Sequence, residues 1–164
     1  MNITTLILII TATTTALIAG LFYGYTYSVN LGLGKLSDRE YIAAMNSINV
    51  QIINPLFMAS FMGTLLLLPI SAYLSYSPGM NIRFILLVSA ALVYAIGVFG
   101  VTMFGNVPLN DALARLNAET ASPKELSVYR AMFEGPWNFL HNIRTWANVV
   151  SLVLVITGCC YESK

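Results

Sequence analysis

Four long apolar stretches, residues 6–29, 50–74, 84–104 and 137–160, constrain this chain more than any other feature. Each reaches the roughly 20 residues needed to cross the hydrocarbon core of a bilayer. Lipid offers no water to the backbone, so a spanning segment must close its hydrogen bonds within itself, which selects helix. Only 9% of the 164 residues are charged and 57% are hydrophobic, whereas about a quarter of the residues in soluble domains are charged. The chain reads as all-α: an integral membrane four-helix bundle, one membrane domain over residues 1–164, with the lipid bilayer as its solvent.

Other classes fall away quickly. A net charge of +1 gives no case for nucleic acid. The first apolar run is too long for a signal-peptide h-region, and residues 1–5 carry no lysine or arginine, so it reads as a span. Cys159 and Cys160 are adjacent, and with a single histidine they make no closed zinc site. They read as small apolar residues facing lipid, with palmitoylation as the alternative.

An even number of spans puts both termini on one side of the membrane. The longer loops, about 30–49 and 105–136, fall on the other side, and residues 77–81 form a short turn. Lys35, Arg39, Arg115, Lys124, Arg130 and Arg144 lie on the long-loop side, against Arg83 and Lys164. The positive-inside rule then places the long loops in the cytoplasm. Both loops hold helix starts. Ser37–Glu40 and Ser122–Glu125 have capping-box spacing, the first with Leu36 and Tyr41 as a hydrophobic staple. Residues 108–116 read as a short amphipathic helix. Gly20, Gly24, Gly32 and Gly34 read as sites of close helix packing.

Polar residues gather at the long-loop end of every span. Trp137, His141, Arg144 and Asn148 fall within about 60° of one another on a helix. Tyr23, Tyr27 and Asn30 share a face near the end of the first span. Asn46, Asn49 and Asn54 open the second, and Asn106 and Asn110 follow the third. In an up-down bundle these groups line one cavity. Interfacial anchoring and helix capping explain individual members, but intramembrane polar groups are costly enough to mark function as a set.

No HExxH, P-loop or GxGxxG pattern is present, and one histidine excludes a centre built from several. A mixed Asn/His metal site stands as an alternative to proton chemistry without metal or cofactor. In the latter, His141 is the general base, and Arg144 with Asn49, Asn54, Asn106 and Asn110 binds a developing oxyanion. Tyr23, Tyr27, Trp137 and Asn148 help to bind the substrate. Asp111 is an alternative base.

Residues 20–27 (GLFYGYTY), 43–57 (AAMNSINVQIINPLF), 106–113 (NVPLNDAL) and 137–145 (WNFLHNIRT) resemble the anthrone oxygenase-like (DUF1772) family of small four-helix membrane proteins. The resemblance covers most of the chain in order and spacing. It implies a four-helix membrane fold and, as in fungal members, oxygenation of anthrones without metal or flavin. Its matching positions are Asn49, Asn54, Asn106, Asn110, Trp137 and Arg144. Bacterial members read Asn-His where this chain reads His141-Asn142, a shift of about 100° around a helix.

The function expected is cofactor-independent oxidation of a planar hydrophobic phenolic substrate by O2. The alternative is a non-catalytic lipid- or quinone-binding or structural subunit of a membrane complex, in keeping with the uncharged third span. A homo-oligomer suits either reading. Coupled transport is disfavoured by the lack of an intramembrane carboxylate.

Overall fold

A computed structural model describes residues 2–78 and 81–161. Five helices account for nearly all of it: α1 Ile3–Leu33, α2 Asp38–Gln51, α3 Pro55–Leu74, α4 Ile82–Ala114 and α5 Pro123–Cys160. All but α2 are long and apolar enough to cross a membrane. They form a square bundle in which α1 and α4 each pack against both α3 and α5. The chain is an all-helical membrane bundle.

Helix lengths differ in a way that makes a second layer. At 1.5 Å per residue α3 is about 30 Å long, matching the hydrocarbon core, while α5 is about 57 Å. The excess of α1, α4 and α5 projects at one end, where α2 lies against α4 and α5. The result is two apolar cores. One lies among the spans, built on Phe22, Phe61, Leu68, Leu87, Tyr94 and Val155. The other lies in this cap, built on Leu33, Tyr41, Met45, Leu113, Phe133 and Trp137.

Local chemistry sets the helix ends. Ser37 N–H and O–H both donate to Glu40 Oε2, at 3.0 and 2.6 Å, opening α2. Leu36 and Tyr41 pack into the cap core as the staple requires. The second span begins later than residue 50: Val50 and Gln51 still belong to α2, and the chain breaks before Pro55. Proline pushes its predecessor out of the helical region, and Asn54 is extended, with its side chain accepting from Phe57 N–H at 3.0 Å. Ser122 caps α5, whose cap segment and span are one unbroken helix. The amphipathic segment after the third span is likewise the end of α4, not a separate helix.

The expected close packing at Gly20, Gly24 and Gly32 is absent, since open space surrounds all three. Close approach occurs instead between α4 and α5. A Cβ on Gly97 would stand 2.6 Å from Ala147 Cβ, and one on Gly105 would stand 2.9 Å from Leu140. Of the expected turn at 77–81, Gly79 and Met80 lie outside the described residues.

Candidate functional site

The polar face of α5 turns inward as its spacing requires. Trp137, His141, Arg144 and Asn148 are 3%, 1%, 8% and 0% exposed, between the two apolar cores. Three wide, π-type turns face this level of the bundle: Tyr25–Val29 in α1, and Tyr94–Gly100 and Thr102–Asn106 in α4. Asn30 N–H donates to Tyr25 O and Val107 N–H to Thr102 O, five residues back in each case. Pro108 has no N–H to offer the turn before it, which favours widening there. Such turns often occur at functional sites.

Trp137 is clamped between helices. Its Nε1–H donates to Asn110 Oδ1 at 2.8 Å, and its carbonyl accepts from Asn106 Nδ2 at 3.2 Å. Its ring stacks on His141 with centroids 4.9 Å apart and planes 16° from parallel. The imidazole is bonded on both sides. Arg144 Nε–H reaches Nδ1 at 3.0 Å, and Nε2 lies 3.2 Å from the Phe22 carbonyl. A guanidinium can only donate, so Nδ1 accepts and Nε2 carries the proton that bonds Phe22 O. In this arrangement neither nitrogen has a free lone pair, and a base role for His141 requires Arg144 to let go of Nδ1.

Arg144 is the electrostatic centre of the site. The guanidinium carbon lies 4.6 Å from the Phe22 ring centroid and 5.1 Å from that of Trp137, so aromatic rings cover the cation. Beyond His141, its one further bond is Nη1 to Thr102 Oγ1 at 3.4 Å. Among the described residues the ion pairs are those of Arg130 with Asp38 and Glu134, and no carboxylate pairs with Arg144. Asn106 Oδ1 and both amide atoms of Asn148 are also buried without a partner. The site therefore holds a nearly buried cation with spare donors, next to unmatched amides. This is an arrangement for an anionic or strongly polarised oxygen.

The remaining sequence candidates are dispersed, so they do not line one common cavity. Tyr23 and Tyr27 are half-exposed and stack on each other at 4.6 Å on the outside of α1. Their shared face is real but points away from the cluster. Asn54 is an exposed helix cap, and Asp111 is exposed. Asn49 is half-buried in α2, with Nδ2 unpartnered. Tyr25, which the spacing passed over, faces inward: its ring is 5.2 Å from His141 and 5.5 Å from Trp137, and its O–H donates to Met45 Sδ at 3.2 Å. Its inward-facing neighbours Phe22 and Thr26, at i−3 and i+1, were the available signal. Thr26 pairs with Thr145 at 3.2 Å. An apolar groove of about 550 Å3, lined by Ile96, Gly100, Val101, Phe104, Gly105 and Leu140, adjoins the site from outside.

The anthrone oxygenase family model matches residues 57–154, which include Asn106, Asn110, Trp137, His141, Arg144 and Asn148. The chain belongs to the anthrone oxygenase family. The match spans α3, α4 and most of α5, the three helices that carry the second half of the bundle and the polar face. No curated protein and no solved structure matches the chain. For this family member, among the described residues, no group of three His, Cys, Asp or Glu side chains is placed to hold a metal ion.

Proposed function

We propose that this protein is a cofactor-independent oxygenase for a planar, hydrophobic phenolic substrate of the anthrone type, acting at the Arg144 cluster. The observation that carries this reading is Arg144 itself: a buried cation faced by rings, with unused N–H groups and no carboxylate partner among the described residues. Family membership supports the reaction class.

An anthrone has an acidic CH2 whose deprotonation places negative charge on the ring-system oxygen. Before deprotonation the still neutral carbonyl oxygen engages the free N–H groups of Arg144 and draws the guanidinium away from His141. Nδ1, released from Arg144, then takes the CH2 proton. The electron-rich carbanion reacts with O2, one oxygen atom remaining as a carbonyl and the other leaving as water. The planar substrate stacks on the Phe22 ring in place of the displaced guanidinium, Asn106 bonds its hydroxyl edge, and Asn110 positions Trp137, whose ring stays stacked on His141. Tyr23, Tyr27 and Asn54 have no part in this reading. The basic excess of the long loops puts the cap in the cytoplasm.

The test is anthrone oxidation by purified protein in nanodiscs with chelator present. Arg144→Met is expected to slow turnover about 100-fold, as for loss of an oxyanion donor, and His141→Phe by at least tenfold. Wild-type rates in both variants would overturn the assignment. The apolar groove beside the site favours a second reading, a non-catalytic lipid- or quinone-binding subunit in a homo-oligomer or membrane complex. Stoichiometric binding of a quinone without turnover would favour it.

A further inference from the structure

We propose that Asn148 is the oxygen subsite of this centre, the group that receives the two oxygen atoms of O2 as they become a peroxide; this rests on the oxygenase reading above. Asn148 is completely buried, and both its Oδ1 and its Nδ2 lack a hydrogen-bond partner. An amide in this state in the membrane interior calls for a ligand that accepts at one atom and donates at the next. It is not an interhelical clasp. The other deeply buried polar groups on that face of α5 are matched: Thr145 O–H donates to the His141 carbonyl at 2.8 Å and Ser151 O–H to the Ala90 carbonyl at 3.1 Å. Asn148 therefore stands as an unused donor and acceptor one helical turn beyond Arg144, about 6 Å along the axis.

That position suits the chemistry. With the substrate oxygen at Arg144 and His141 taking the CH2 proton from one face, in this proposal O2 adds to the opposite face of that carbon, on the Asn148 side. The carbanion gives one electron to O2, the superoxide and the ring radical combine, and a C–O bond forms at that carbon. The resulting peroxide anion accepts from Asn148 Nδ2–H. Protonated by the proton that His141 removed, it becomes a hydroperoxide whose O–H donates to Asn148 Oδ1. Loss of the second C–H proton with cleavage of the O–O bond leaves the carbonyl and releases water. One CH2 and one O2 are consumed for one C=O and one H2O, with no external reductant.

The experiment is steady-state oxidation of anthrone in nanodiscs at varied O2, comparing wild type with Asn148→Leu and, should leucine impair insertion, Asn148→Ala. The expected result is a fall of about tenfold in kcat/KM for O2 with KM for anthrone unchanged. Superoxide or hydrogen peroxide released to solution should rise, and thermal stability should be equal or higher for the leucine variant. An unchanged kcat/KM for O2 without released reduced oxygen overturns the proposal and leaves Asn148 holding a buried water only. Wild-type protein that oxidises no anthrone overturns the oxygenase reading itself, and the subsite with it.

Discussion

At the residue scale, Arg144 shows how one side chain changes meaning with its surroundings. Near a membrane end an arginine ordinarily snorkels to headgroups, yet Arg144 is folded back over Phe22 and Trp137 and bonded to His141. The spacing 137, 141, 144, 148 made this face legible in the sequence, because helical geometry alone groups those positions. The bonds of the imidazole were not legible, since both partners of His141 depend on where α1 and Arg144 come to lie. The glycines show the same division. Gly97 meets Ala147 so closely that an added methyl must push α4 from α5. Gly97→Ala is expected to destabilise the bundle by about 2 kcal/mol. Gly20→Ala, in open space, should be neutral or slightly stabilising, from helix propensity. Thermal unfolding in detergent measures both, and equal midpoints for the two variants would refute the close contact.

At the element scale, helix starts were written in local chemistry and helix ends were not. The capping boxes at Ser37 and Ser122 hold in space, and Pro55 separates α2 from α3. The apolar runs, however, understate α1, α4 and α5, because their polar ends stay helical by packing in the cap rather than in lipid. The cap also carries a pH response. Hydrogen bonds from the Ser37 hydroxyl and backbone hold Glu40 below the usual carboxylate range. Its stabilising contribution is fully present above about pH 4.3, the ordinary glutamate value, and is lost as pH falls through the lower folded value. Hydrogen exchange in α2 should therefore accelerate below pH 4. Glu40→Gln should flatten that acid response, and a variant retaining the full response would refute the assignment to Glu40.

At the scale of the whole molecule, the site depends on two layers staying in register. Within the cap, Arg130 ties α2 and the end of α1 to α5: it bonds Glu134 at 2.7 Å, the Leu36 carbonyl at 2.7 Å, the Gly34 carbonyl at 3.1 Å and Asp38 at 3.1 Å, and lies 4.5 Å from the Tyr41 ring centroid. Arg130→Met keeps the aliphatic stem but leaves the two carbonyls unmatched, and should weaken the cap by on the order of 2 kcal/mol. Hydrogen exchange should rise in α2 while the spans keep their protection, and uniform protection across both layers would show that Arg130 is not the tie. The sequence by itself determined the helical class, the number of spans and the inward polar face of α5, because bilayer thickness and helical periodicity act on local pattern. Only the tertiary structure decided that Tyr25 rather than Tyr23 or Tyr27 faces the cluster. The same holds for Asn54, which caps a helix at the surface, and for Arg144, left without a carboxylate among the described residues. Which face of α1 turns inward, and which groups remain unmatched once the helices pack, are set by contacts between residues far apart in the chain.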